Sequence, residues 1–228
     1  MGVYFLRRGK ASVLDAIFAN NSWEAIIAAC QRGNVPDSWA VGDSKMMTIN
    51  GTDYQIDIIG KNHDTYTAGG KAPLTFQMHD CYANFYSMYN FESNEYGWTN
   101  CTIRTGALPK ILALMPSEVQ SGIREVNKLT SAGDQSATIK TTADKLFLLS
   151  EVEIFGSTTY AKSGEGSQYD YYKAGNSKEK YRGSSKYTWW ERSPRGDNSE
   201  NYCRVTTIGT AGSDAAHNTN SVAFAFCF

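Results

Sequence analysis

The dipeptide Asn50-Gly51 constrains the fold more than any other feature of the chain. Lys45-Met46-Met47-Thr48-Ile49 precedes it and Thr52-Asp53-Tyr54-Gln55-Ile56-Asp57-Ile58-Ile59 follows. Asn-Gly tolerates positive φ at both central positions, as a type I′ turn requires, so the segment predicts a tight β-hairpin. Tyr54, Ile56 and Ile58 alternate with Asp53, Gln55 and Asp57, which predicts one buried face and one polar face. Pro73 to Met78 predicts a further strand.

Helical signals flank this hairpin. A short helical piece is expected over Ser12 to Ala19. Asn21 is expected to cap a helix, with Glu24 completing a capping box and Trp23, Ile26, Ile27 and Cys30 as its buried stripe. Arg32 and Gly33 close it. Asn100 to Met115 reads as a second helical region, kinked or broken at Pro109. Ser117-Glu118-Val119-Gln120 reads as a capping box opening a helix to about Val126, and Ser150 to Phe155 as a helical turn. Strands are expected at Ala137–Lys140, Lys145–Leu149, Trp189–Arg192, Tyr202–Thr207 and Val222–Phe228. Without a βαβ rhythm or a repeat of fixed period, this order predicts an α+β domain. Residues 156–187, rich in Tyr, Gly, Ser and Lys, read as a long surface insertion.

Composition removes several function classes. The chain has 228 residues, with 22 basic and 23 acidic side chains and a net charge of -1. That balance offers no basic field for nucleic acid and no polybasic patch for anionic lipid. No run reaches the ~18 apolar residues of a membrane span, and no secretory signal is legible, so a soluble chain made in the cytoplasm is expected. The cysteines Cys30, Cys81, Cys101, Cys203 and Cys227 are odd in number and scattered, which predicts buried free thiols. Cys203 with Cys227 is the one pair considered for a bridge. The 14 tyrosines suit either a recognition surface or simply a β-rich domain.

Chemistry-bearing motifs are sparse. Asn62-His63-Asp64 and His79-Asp80-Cys81 hold metal-capable groups, but nothing in their spacing makes them converge. Hydrogen-bonded structural roles are expected there, with no metal and no cofactor. There is no GxSxG elbow, no GxGxxG and no GxxxxGK[ST], so no enzyme activity is expected. Arg195-Gly196-Asp197 reads as a turn after Pro194. Trp189-Trp190 should point to opposite faces of a strand. One is expected in the core and the other on the ligand-bearing side or against a packed helix, with Trp190 taken as the ligand-facing one. Core packing of both is the alternative.

Trp189-Trp190-Glu191-Arg192-Ser193-Pro194, then Cys203-x-Val205, then Val222 to Cys227 resemble an uncharacterised domain family of the WWxRSP type (DUF6273-like) common in phages and prophages of gut Firmicutes. Val41-Gly42-Asp43, Asn50-Gly51, Ile58 to Asp64, Leu108-Pro109 and Lys145 to Glu153 extend the resemblance over residues 21–228. That family is similar to the C-type-lectin-like variable ligand-binding proteins of phage tails. The resemblance implies a C-type-lectin-like fold and a non-enzymatic virion protein: a tail fibre, baseplate or head decoration involved in host attachment. A purely structural virion subunit is the alternative. A formylglycine-generating oxidase on the same fold is a further one, although its close cysteine pair is missing. Glu191 departs from the pattern, which often has Leu or another apolar residue there, and Ser221 stands where Gly often precedes the closing Val. No EPN, QPD or WND occurs, so calcium-dependent sugar binding is not implied.

On that scaffold the display segment is Tyr202 to Ser221. Strand alternation predicts Cys203 and Val205 inward and Tyr202, Arg204 and Thr206 outward. His217, Asn218 and Asn220 are expected on the same exposed side. With Trp190, and Tyr171 from the insertion, these form the expected ligand-binding set. The expected partners are a host cell-surface protein or glycan and other virion proteins, without nucleic acid or membrane insertion. Residues 1–20, with Val3, Tyr4, Phe5, Leu6, Val13, Leu14, Ile17 and Phe18, read as an arm for oligomerisation or virion attachment, and a homotrimer is expected.

Overall fold

The structure is a computed structural model and describes residues 13–228. Only a 3₁₀ turn, Phe18–Asn20, stands where a short helix was expected before α1 (Trp23–Gln31). Ser22 caps α1, accepting the Ala25 N–H, so the cap lies one residue beyond the expected Asn21. Asn21 acts elsewhere, because its buried amide donates to the carbonyls of Asp15, Ile17 and Phe18. This pins the entering chain so that Phe18 packs on Trp23, Trp39 and Phe76. Phe18 therefore belongs to the domain core and not to an arm, whereas Val13 and Ile17 are exposed. The arm residues expected within 1–12, Val3 to Leu6 among them, lie outside the described residues.

The hairpin forms as its turn chemistry dictates. β1 (Ser44–Ile49) and β2 (Thr52–Lys61) pair with Ile49 opposite Thr52, and φ is 49° at Asn50 and 77° at Gly51. β3 (Leu74–Met78) continues the sheet, and the two-residue β4 (Tyr86–Ser87) follows. The second helical region begins with a π-helical turn, Ile103–Ala107, and continues as α2 (Leu108–Leu112). Pro109 is the second residue of α2 and follows the π turn directly, so the helical path runs on through it and the irregularity falls in the turn before it. α3 (Ser117–Gly122) is capped by Pro116 without a side-chain bond, so Ser117 lies inside the helix and the expected capping box is not made.

β5 (Val126–Ser131) and β6 (Ile139–Asp144) form a second hairpin, followed by β7 (Leu146–Phe147). α4 (Glu151–Phe155) has a complete capping box between Ser150 and Glu153. Then come α5 (Asp170–Lys173), β8 (Lys180–Arg182), β9 (Ser185–Tyr187), β10 (Trp189–Pro194), β11 (Asn201–Val205), β12 (Ala211–Ala215), β13 (Thr219–Asn220) and β14 (Ala225–Cys227). The main sheet runs β1-β2-β3-β14-β7, and a second sheet runs β10-β11-β12. All pairs of named strands are antiparallel. With its few short helices, the chain is thus a mixed, mostly antiparallel α+β structure.

The insertion is not a loose surface excursion. Its Glu165, Tyr169, Tyr172 and Lys180 are buried. Tyr172 donates to Gln77 of β3 at 2.7 Å, and Tyr171 lies over β2 with its hydroxyl 3.4 Å from Asp57. This cover explains why β2 is buried on both faces at its centre, Asp57 included, where a single buried face was expected. Asp57 also faces His79 Nδ1 at 2.6 Å.

β10 is buried at all six positions. Both tryptophans are core, the alternative reading of the pair, and each indole N–H finds a carbonyl: Trp189 on Lys178 and Trp190 on Tyr86. Arg192 is wholly buried and grips both carboxylate oxygens of Glu153, at 2.5 and 2.9 Å, together with the Leu129, Leu148 and Glu165 carbonyls. The five cysteines are buried free thiols. Cys203 and Cys227 lie in different sheets, so the bridge considered between them is not formed. Among the described residues, no helix is long and apolar enough to cross a membrane, and no group of three or more His, Cys, Asp or Glu side chains is placed to hold a metal.

Candidate ligand-binding surface

Residues 82–98 carry little regular structure but are fixed to the C-terminal loops at many points. Tyr86–Ser87 pairs with Asn220 and Thr219, and the Tyr89 N–H bonds to Ala216 O. Asn94 is the clamp. Its fully buried side chain donates to the carbonyls of Arg195, Asn198 and Asn201 and accepts the Asp134 N–H. A satisfied buried amide of this kind sets the relative position of the loops it joins.

This clamped segment presents aromatic rings to solvent. Tyr89 packs on Phe91 and Tyr96, with centroids 5.7 and 5.0 Å apart. Phe91 is 68% and Tyr96 41% exposed. A hydrogen bond to Glu95, with Tyr89 beside it, raises the Tyr96 phenol to about 12, so it stays a neutral donor. Further along, the Arg182 guanidinium lies over Phe85 at 3.9 Å and over Tyr187 at 4.6 Å. Planar rings held this way offer stacking faces whose order does not depend on a ligand.

Beside the rings lies a polar network centred on Asp214. Arg204 Nη1 donates to Asp214 at 2.7 Å and to Asn220 at 3.2 Å. Asn218 and Asn220 also donate to Asp214, at 2.8 and 3.0 Å. Thr188 donates to Asn220. Burial pushes the Asp214 carboxyl up, but the Asn220 and Asn218 bonds and the Arg204 charge outweigh it and hold the group below the usual carboxylate range.

The expected ligand-binding set is brought together only in part. Arg204, Asn218 and Asn220 meet at Asp214, and His217 is exposed on the same loop. Asn220 itself is buried within the network. Tyr202 was expected outward but is 1% exposed, and its hydroxyl donates to Gly97 O at 2.9 Å. Alternation fails here because β11 is the middle strand of its sheet and residues 94–98 cover the face that Tyr202 occupies. Thr206 lies beyond the end of β11, its hydroxyl bonded to Thr210 across a turn. Trp190 supports the surface from within by holding Tyr86, and Tyr171 sits over β2, outside the Asp214 network. Sequence reasoning missed Phe85, Tyr89, Phe91, Tyr96 and Asp214. The density of Tyr and Phe among Asn, Ser and Glu in residues 82–98 was the available signal.

A family profile matches residues 75–228. The chain belongs to that family, described as a domain of unknown function (DUF6273). No curated protein and no solved structure matches it. The DUF6273 match runs from β3 to Phe228, so it contains both the aromatic segment and the Asp214 network. The β1–β2 hairpin and α1 lie before it.

Proposed function

We propose that this chain is a non-enzymatic virion protein of a bacterial virus, in a tail fibre, baseplate or head decoration, that binds a host-surface protein or glycan or another virion protein. On this reading the scaffold is C-type-lectin-like, and the surface around Phe91, Tyr96, His217 and Asn218 is the contact face. One observation carries the proposal: exposed aromatic rings and amide side chains stand on a segment fixed by the buried Asn94 to residues 195–201 and by Tyr86, Ser87 and Tyr89 to the loop of residues 216–220. Rigid aromatic anchors with adaptable polar neighbours are what recognition surfaces use. The oxidase alternative finds less support, since burial raises both the Cys203 and Cys227 thiols well above their ordinary values and suppresses the thiolate such chemistry uses. The homotrimer expected from the sequence is part of the same proposal.

The test is a triple variant, Phe91→Ala, Tyr96→Ala and His217→Ala, with folding followed by circular dichroism and binding measured on host cells and on purified virions. Retained folding with lost binding supports the contact face. Retained folding with unchanged binding places the site elsewhere. Immunogold labelling of intact particles tests the virion assignment, and light scattering of the full chain tests the trimer.

A further inference from the structure

Asp64, Lys128 and Glu153 meet in the interior, each buried. Lys128 Nζ lies 2.8 Å from Asp64 Oδ1 and 2.7 Å from Glu153 Oε1. The far oxygen of Asp64 accepts hydrogen bonds from the Thr75 hydroxyl at 2.6 Å and the Tyr169 hydroxyl at 2.8 Å. Lys128 Nζ also reaches the Tyr169 hydroxyl at 3.1 Å and lies 4.2 Å from the centre of the Phe147 ring. His63 stacks on the Tyr169 ring, and Cys227 Sγ is 3.7 Å from Asp64. The Arg192 fork fixes Glu153. An amine is thus held against a carboxyl group, with a second carboxylate on the amine, two hydroxyl donors on the far oxygen and aromatic rings excluding water.

We propose that Lys128 and Asp64 join in an intramolecular amide bond, Lys128 Nζ to Asp64 Cγ, formed by the folded chain itself with Glu153 as the proton carrier. Starting from the ammonium and the carboxylate, Glu153 takes one proton from Nζ and passes it to Asp64 Oδ1. The free amine attacks Cγ, and negative charge gathers on Oδ2, where Thr75 and Tyr169 donate as an oxyanion hole would. Glu153 then removes a second proton from the nitrogen and delivers it to the departing Oδ1. The Cγ–Oδ1 bond breaks, water leaves, Oδ2 becomes the amide carbonyl and Glu153 ends as it began. One ammonium and one carboxylate become one amide and one water, so no oxidant, nucleotide or external reactant enters.

Two physical arguments favour the product. Fixing both groups in contact removes the entropic cost of bringing them together. The cluster also begins with two cations, Lys128 and Arg192, and two anions, Asp64 and Glu153. Amide formation removes one of each, and the remaining Glu153–Arg192 pair keeps its bidentate bond. Burying a charged pair is costly and a neutral amide is less so. The bond would tie β5, which pairs with β6, to the loop that joins β2 and β3 of the main sheet.

The decisive measurement is the intact mass of the denatured full chain. The proposal requires a mass one water below that of the sequence, and a proteolytic fragment linking the peptide with Asp64 to the peptide with Lys128. Glu153→Gln and Lys128→Arg should each restore the full sequence mass. A wild-type chain at full sequence mass makes the cluster a structural ion pair only and overturns the proposal, as does a water loss mapped to any other position. Because the wild-type mass decides, a variant that fails to fold does not shield the idea.

Discussion

Glu191 offers the sharpest test of how this core is balanced. Its side chain is wholly buried in β10, and neither carboxylate oxygen has a hydrogen-bond partner among the described residues. Burial, reinforced by the nearby Glu151 and Glu165 carboxylates, raises its pKa well above the ordinary 4.5. The folded chain therefore keeps a proton that the unfolded chain gives up as pH rises past 4.5. Stability is full below that value and falls as pH climbs toward the folded pKa, at about 1.4 kcal/mol per pH unit. Glu191→Met follows the same unbranched path and removes both orphan oxygens. Near pH 5 it should stabilise by ~1–3 kcal/mol, the desolvation cost of an unsatisfied buried polar group. The advantage should widen by about 1.4 kcal/mol per unit above that. In a chain of this size each kcal/mol is about 2–4 °C in Tm. The assay is thermal or urea unfolding of both proteins at about pH 5, 6, 7 and 8. A variant no more stable than wild type, or an advantage that stays flat with pH, refutes the reasoning.

Three further outcomes follow from the geometry. Tyr202→Phe should cost ~1–3 kcal/mol in urea unfolding, because Gly97 O loses its buried donor, whereas an outward Tyr202 would show almost no change. Gly133→Ala should cost ~3 kcal/mol or abolish folding, since φ there is 89° and an added Cβ would lie 1.9 Å from Asn94 O; wild-type Tm in that variant would contradict the clamp. Calcium over chelator should leave Tm unchanged within about a degree, because among the described residues no group of three or more His, Cys, Asp or Glu side chains is placed to hold a metal, and a clear upward shift would reveal a cation site.

What the sequence made legible was local. Asn50-Gly51 sets its own backbone geometry, and the helical turn expected over Ser150 to Phe155 closes within its own residues, so neither needed knowledge of distant chain. Burial by a remote segment was not legible. Alternation is a sound rule and points Tyr202 outward, but the cover over that residue comes from chain about a hundred positions earlier. The same rule puts Asp57 on a polar face that Tyr171 and His79 close over. The Asn21 reading fails more subtly: two adjacent cap-competent residues are present, and the cap falls to Ser22 because Asn21 is needed by the carbonyls of Asp15, Ile17 and Phe18. At the candidate site the exposed His217 and Asn218 are legible from loop composition, whereas Asp214, which organises them, has no sequence signature of its own.

The position of β14 bears on how the chain must be made. It lies between β3 and β7 in the main sheet yet follows both in chain order. During vectorial synthesis β3 and β7 emerge long before the strand that joins them. Until Ala225–Cys227 arrives, both present open backbone edges, one beside Phe76 and the other beside Phe147. Such edges are templates for mispairing with other chains. Late, non-local closure also predicts slow folding. Nascent chains stalled just short of Ala225 should therefore be chaperone-dependent and aggregation-prone, and release of the closing strand should be the event that commits the domain to its native state.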